Sequence, residues 1–510
     1  MTLHRQFIRT ARKFWSKTGV YDQATGRDFT YGRMLISTII LARRFRHYRN
    51  VHLGIMLPTS AGCILSTIAS LMAKKTPVMI NYSTGAAENC MYAQKKCNFR
   101  TIVTSKQLLN KIGCEKVPGM VFIEDILASL NTVEKLRAAA LAKLPLPMLE
   151  KAFGSGSRED SAVILFTSGS ENDPKAVMLS HKNIQHNVSN IPLIVDITER
   201  DIFLANLPYF HVFGLTVTLW TPLTLGCSVV AHANPLDYKA IVNSVRDYNV
   251  TVMVGTPTFY HGYLKRSEPG DFASLRLAIA GADKLARQIR EEYIQTHGLE
   301  VMEGYGATET SPVISTNTPA FNRPGSVGKP LPGVQVRIVD RETEANLPPG
   351  KEGKIVVKGD LVMKGYYNDL EETSHRIHNG WYETGDMGIL DEDGYLWHRG
   401  RLKRFVKIGG EMVSMVRVES VLENLLPEGT LCCVVDVPNP VKGADIVAAV
   451  TTKEINIRHI KKLMGKDLPS IAIPREFYVM DDLPMMASGK VNFREVEKMC
   501  QELRTSKEKD

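Results

Sequence analysis

Short apolar runs alternate with helical patterns along this 510-residue chain, and that alternation constrains its fold more than any single residue does. Val51–Leu57 is strand-like, Ser60–Ala73 is helical, and Thr76–Asn81 is strand-like again. The alternation resumes at Ile202–Leu207, Val229–Ala231, Val252–Val254 and Leu277–Ala280. Strands separated by helix-length connections pair in parallel, because a crossover returns the chain to run in the same direction. The predicted fold class is therefore α/β, with doubly wound parallel sheets. Before them come a lead-in helix, a hairpin around Asp22–Gly26 and a helix from Thr30. Val133–Phe153 is helical with a break at Pro145–Pro147 and reads as a peripheral insertion.

From about Pro332 the texture changes. Val334–Val339 and Gly353–Lys358 are strands separated by turns, which predicts a small β subdomain over about 332–400. Phe405 onward carries its own strands, Cys432–Val437 and Ile446–Thr451, and its own helices, Val418–Leu425 and Ile457–Leu463. A chain this long exceeds one core. The predicted organisation is a large N-terminal domain at 1–402 and a small α+β C-terminal domain at 403–510, joined at the polar stretch Gly400–Lys403.

Composition narrows the class. With 44% hydrophobic and 23% charged residues, the chain is not a disordered one. A net charge of +9 suits nucleotide phosphates, an anionic membrane surface or an acidic protein. The basic residues are dispersed and no base-reading motif is present, so no nucleic-acid partner is expected. The eight cysteines have no CxxC spacing and no secretory signal precedes them, which points to reduced thiols and a cytoplasmic setting. Ala61–Ala73 is too short to cross a membrane and closes at Lys74–Lys75. His4, Arg5, Arg9, Arg12 and Lys13 form a basic amphipathic segment that reads equally as a peripheral membrane contact or a solvated helix face.

Five polar stretches interrupt this frame: FTSGSENDPK at Phe166–Lys175, EGYGATETSP at Glu303–Pro312, YETGDMG at Tyr382–Gly388, GRLKRFVKIGGEMVS at Gly400–Ser414 and PMMASGKVNFR at Pro484–Arg494. The first follows an apolar strand. Its small residues let backbone N–H groups approach a polyanion, and Lys175 adds a mobile cation. Taken singly, each stretch has an ordinary explanation as a polar loop or turn.

In combination and in this order they resemble the adenylate-forming (AMP-binding) superfamily of acyl- and aryl-CoA synthetases, luciferase and peptide adenylation domains. The resemblance runs from about Thr30 to Arg494. The phrases AGADKL (Ala280–Leu285), GYGATETSPV and GRLKRFVKIGGEMVS are closest to bacterial acyl–acyl-carrier-protein synthetases. They also resemble the ligase half of a bifunctional acyltransferase/synthetase of phospholipid acyl recycling; its acyltransferase half is not expected here.

The resemblance implies an ATP- and Mg²⁺-dependent ligase. It would activate a fatty acid as acyl-AMP and pass the acyl group to a phosphopantetheine thiol. Acyl carrier protein is the first choice of acceptor and coenzyme A the alternative; a non-catalytic nucleotide- and acyl-binding protein is the third reading. Thr167, Ser168, Gly169, Ser170 and Lys175 would hold the β- and γ-phosphates. Gly281, Ala282 and Asp283 would line the adenine and acyl channel, with Glu303, Gly304 and Tyr305 around the base. Thr308 would touch the α-phosphate and Glu309 would bind magnesium. Asp386 and Arg401 would hold the ribose, His211 would line the carboxylate pocket, and Lys490 would meet the carboxylate and α-phosphate. Lys403 would be the hinge that exchanges Lys490 for the Gly409–Gly410–Glu411 loop in the thiol step. Two positions depart from the family pattern: Asn172 and Ala176 stand where glycine is usual, which implies a slower phosphate loop.

Overall fold

Five helices begin in the same way. The side chains of Thr30, Ser60, Ser105, Ser180 and Thr256 each accept a hydrogen bond from the backbone N–H three residues further on. Each satisfies one of the donors that a helix start leaves unpaired. Each also sits at or just beyond the end of a strand: Arg27–Thr30, His52–Ile55, Ile102–Thr104, Ala176–Ser180 or Val252–Gly255. Repeating this strand–cap–helix unit builds the layered fold of the N-terminal part.

The computed structural model describes residues 1–167, 174–408, 411–427, 429–439, 443–452, 454–485 and 491–507, with backbone alone at Lys403, Lys407, Glu411, Met412 and 505–507. Contacts divide the chain into two units. One comprises Met1–Val336 with Val357–Tyr382, and the other Arg337–Val356 with Glu383–Asp510.

The first unit holds two large sheets. In one, the strands Thr18–Asp22, Ser228–Ala231, Ile202–Ala205, Val252–Gly255, Leu277–Ala280 and Val301–Gly306 lie side by side, all parallel. Antiparallel strands close both edges, Arg27–Thr30 on one side and Val313–Thr316 with Lys329–Pro330 on the other. In the second, Ser161–Phe166, Thr76–Met79, His52–Ile55, Ile102–Thr104 and Met120–Phe122 are parallel. Ala176–Ser180 and Gly365–Tyr366 add an antiparallel margin. The mixed edges differ from the all-parallel expectation for a local reason. Ser161–Phe166 and Ala176–Ser180 are too close in sequence for a helical crossover and must form a hairpin.

The N-terminal helix Leu3–Lys13 corrects the membrane-contact reading. Its apolar face, Leu3, Phe7, Ile8 and Ala11, is fully buried in the core. Arg5 and Arg9 bond to Glu150, and Arg12 donates to the Ala142 and Leu144 carbonyls. The face a bilayer would take is already packed against protein. Among the described residues no helix is long and apolar enough to cross a membrane.

The second unit has its own interior. Strands Cys432–Asn439 and Gly443–Val450 pair antiparallel, and Glu476–Val479 joins them in parallel. Helices Met415–Glu423, Ile457–Met464 and Phe493–Lys507 belong to the same unit. Val418, Leu422, Val434, Ala448 and Met464 fill one core cluster, and Val435, Val447, Val496 and Cys500 another.

Candidate active site

The FTSGSENDPK segment springs from a hairpin whose last ladder pair is Phe166 opposite Ala176. One step beyond, the Thr167 N–H donates to the Lys175 carbonyl at 3.0 Å, and the Lys175 N–H donates to Thr167 Oγ1 at 3.3 Å. The Tyr92 hydroxyl donates to the Pro174 carbonyl at 2.9 Å. The loop therefore leaves and re-enters through a mouth held by three hydrogen bonds. Ser168, Gly169, Ser170 and Asn172 lie outside the described residues.

Lys175 forms an ion pair with Glu372, and its Nζ also lies 5.2 Å from the centre of the Tyr366 ring. Glu372 accepts a second bond, 3.1 Å, from Arg376 one turn along the helix Leu370–Arg376. Burial alone would raise the Glu372 carboxyl, but the bonds from Lys175 and Arg376 outweigh it and hold it below the usual range. On the other side of Tyr366, its hydroxyl donates to Glu309 Oε1 at 2.9 Å. Burial first, then the charge of Glu309, pushes the Tyr366 phenol well up, so it stays protonated and donates. Three backbone bonds fix the Tyr366 segment: Met363 N to the Glu309 carbonyl, Lys364 N to Met178 and Tyr367 N to Ala176.

Thr308 and Glu309 lie on the short 3₁₀ turn Thr308–Thr310. The buried Thr310 hydroxyl bonds to Pro312 at 2.7 Å, which ties the turn down. Gly306 precedes it for a steric reason: a Cβ there would lie 2.0 Å from the Pro312 carbonyl oxygen. The Glu303 side chain points into the protein, where it pairs with Arg290 and accepts from Leu285 N at 3.1 Å. Burial pushes its carboxyl up, and Arg290 opposes that shift. Gly304 packs against Thr316, and Tyr305 is half-buried on the same strand.

Gly281, Ala282 and Asp283 follow the strand Leu277–Ala280 directly. A Cβ on Gly281 would meet the Phe213 ring at 3.2 Å, so a bare backbone lets that aromatic seat. Ala282 takes a left-handed φ of 72° and Asp283 is exposed. His211 lies 4.6 Å from Phe210, ring centre to ring centre, just before the buried π-helix Gly214–Trp220.

In the second unit, Asp386 and Arg401 are opposite one another across an antiparallel pair. Arg401 Nε and His398 Nε2 each lie 3.8 Å from Asp386 Oδ1, and Asp386 is 7% exposed. Lys403 sits on the 3₁₀ turn Leu402–Arg404 and Glu411 opens the strand Glu411–Ser414. The side chains of both, and all of Gly409, Gly410 and Lys490, lie outside the described residues.

Sequence reasoning missed Tyr366, Glu372, Arg376 and His398. One local signal was present. Asp369 accepts from the Glu372 N–H, so the DLEE pattern starts a helix. Nothing local links Glu372 to Lys175, 197 residues away.

The AMP-binding enzyme family matches residues 7–367, and the AMP-binding enzyme C-terminal domain matches residues 417–490. The chain belongs to the AMP-binding enzyme family. Among its relatives, it is 29% identical over 456 residues to the oxalate–CoA ligase of Arabidopsis thaliana, covering 86% of this chain and 87% of that one. It is 31% identical over 344 residues to a long-chain-fatty-acid–CoA ligase of Bacillus subtilis (strain 168), covering 65% of this chain and 60% of that one. Among solved structures, ATP-bound MatB from Rhodopseudomonas palustris matches with a TM-score of 0.85 and 26% identity over 99% of this chain and all of that one.

Proposed function

We propose that this chain is a fatty acyl-CoA synthetase. The observation that carries the reading is the placement of a cation and a carboxylate, Lys175 and Glu309, on either side of Tyr366 beside the mouth of the phosphate loop. The chain is an ATP-dependent acid–thiol ligase of the AMP-binding family. In the first half-reaction a carboxylate oxygen attacks the α-phosphorus of ATP, forming an acyl–phosphate bond and expelling pyrophosphate. In the second, a thiol sulfur attacks the acyl carbon and AMP leaves with the C–O bond electrons. Both reactants of the first step are anions, so the protein's task is positioning and fixed positive charge.

In this reading Thr167, Lys175 and the loop between them hold the leaving phosphates. Thr308 meets the α-phosphate, and Asp386 with Arg401 holds the ribose. Lys490 supplies a second cation to the reacting centre, and Lys403 is the hinge. The donor set fits magnesium. Mg²⁺ takes one or two carboxylates together with phosphate oxygens and water, and Glu309 offers one such carboxylate. Among the described residues no cluster of three or more His, Cys, Asp or Glu forms a self-sufficient metal site. Bound there, the ion would screen the phosphate charge.

The acid is assigned from the motif wording, and the likeness to a long-chain-fatty-acid–CoA ligase supports it. Coenzyme A replaces carrier protein as the acceptor, because the relatives named above are CoA ligases.

The test is fatty-acid-dependent pyrophosphate exchange, followed by a comparison of acceptors. Exchange with palmitate, ATP and Mg²⁺ is expected, and CoA should discharge the adenylate faster than holo-carrier protein. Faster discharge by the carrier would reinstate the acceptor read from the motif wording. No exchange with any carboxylic acid would sink the ligase reading.

A further inference from the structure

Resting on the ATP and magnesium roles proposed for Lys175 and Glu309, we propose that Tyr366 is the positioning residue that sets the distance between them. Its two ends do different work. The hydroxyl holds Glu309 Oε1 at 2.9 Å, while the ring lies under the Lys175 ammonium at 5.2 Å. A phenol donating to a carboxylate makes a charge-assisted bond, and a cation over an aromatic face adds a second attraction.

The residue is itself immobilised. It is 3% exposed, and its N–H donates to Thr373 Oγ1 at 2.9 Å. Met363, three residues before it, and Tyr367, just after it, donate to the backbone carbonyls of Glu309 and Ala176. Glu309 and Lys175 are 134 positions apart in the sequence and arrive on different elements. The Tyr366 side chain links the proposed metal-binding carboxylate and phosphate-binding lysine, bonded to one and lying under the other. Glu372 completes the arrangement. It pairs with Lys175 from the helix that follows Tyr366, so one continuous segment, Gly365–Arg376, governs both groups.

The link has separable consequences. Tyr366→Phe keeps the ring and removes only the bond to Glu309. Tyr366→Leu removes both contacts. The experiment measures ATP binding to the full chain by equilibrium dialysis, with and without Mg²⁺, alongside the melting temperature of each variant. For Tyr366→Phe, the Mg²⁺ concentration that half-maximally enhances ATP binding should rise about tenfold, the scale of one lost charged hydrogen bond. ATP binding without Mg²⁺ should stay at the wild-type level. Tyr366→Leu should weaken Mg²⁺-free ATP binding as well.

Glu309→Gln is the reference. If it raises the Mg²⁺ requirement while Tyr366→Phe leaves it unchanged, the Tyr366 inference is overturned and the Glu309 role stands. If Glu309→Gln itself leaves the requirement unchanged, the metal role fails and takes the inference with it. Weakening of ATP binding by Tyr366→Phe to the same extent with and without Mg²⁺ would also overturn it, because a general packing defect has that signature.

Discussion

Ala176 occupies a position where the family pattern favours glycine, and from sequence it looked like a handicap to the phosphate loop. The structure gives the methyl group a use. Ala176 is fully buried at the start of a strand, opposite Phe166, and packs into the cluster around Ile164 and Met178. Restoring glycine would free the backbone and uncover apolar surface. Ala176→Gly is therefore expected to lower stability by about 1–2 kcal/mol without tightening ATP binding. Urea denaturation and ATP dialysis check both halves, and a glycine variant that binds ATP more tightly would contradict this account. At this scale the ionic residues Lys175, Glu309, Asp386 and Arg401 were legible, because each sits in a short polar motif. Their partners were not. Tyr366, Glu372 and His398 act through contacts with residues remote in sequence or on a neighbouring strand. Glu303 was legible as a motif letter, but its inward turn toward Arg290 depends on a helix that the motif does not contain.

Among the elements, the N-terminal helix departs furthest from its sequence reading. Its pattern of basic and apolar residues is amphipathic, but periodicity does not say whether protein or lipid covers the apolar face. Protein does, and the consequence is acid sensitivity. His4 donates Nε2–H to the Ser155 carbonyl at 3.2 Å, and His181 Nδ1 accepts from Leu3 N at 3.3 Å. The rings are 5.3 Å apart. Burial lowers His4 from 6.5 to about 4; burial, then the neighbouring His4, lowers His181 to about 3. Both are neutral in the native state. Below pH 6.5 the unfolded chain takes up protons that the native histidines refuse, so stability falls as pH falls through this window toward 4. Each histidine contributes a slope of up to about 1.4 kcal/mol per pH unit. Glu150 acts lower. The Arg9 and Arg5 guanidiniums hold it at about 2, so its contribution is present above 4.5 and lost as pH falls below that.

The double variant His4→Gln, His181→Asn keeps a donor and an acceptor but cannot titrate. Its stability should be flatter than wild type from pH 6.5 down to about 4 and should fall in parallel with wild type only below about 3, read by urea midpoints at each pH. Equal slopes in the upper window would refute the histidine account. The strand–cap–helix elements were read to within a few residues because caps and apolar runs are local features. The strand Ala176–Ser180 was missed because it follows directly on a motif that drew attention as a loop.

Over the whole molecule, each contact unit has apolar clusters drawn from its own residues. Calorimetry is expected to show two transitions rather than one, since cooperativity follows a shared core. A single transition with equal calorimetric and van't Hoff enthalpies would argue against separate units. The change of texture after Pro332 is visible in the sequence as short strand-like runs separated by turns, although the helix Leu370–Arg376 also falls there.

The parallel pairing of Thr18–Asp22 with Ser228–Ala231 also bears on synthesis. Thr10 donates to the Thr224 carbonyl, and Tyr31 to that of Cys227. None of these partners exists while the first 200 residues emerge from the ribosome. Thr18–Asp22 pairs early with Arg27–Thr30, but at ordinary elongation rates it waits ~10–50 s for its parallel neighbour. During that interval Leu3, Phe7, Ile8 and Ala11 can pack only against the helices Tyr31–Phe45, Ala61–Met72 and Leu146–Phe153, so full protease resistance near the N-terminus is expected only after the strand at residue 231 has left the tunnel. Ribosome-stalled chains of graded length, digested briefly and probed with an N-terminal antibody, would reveal the step. Full protection at half that length would mean that the earlier elements cover the N-terminal segment without residues 221–231.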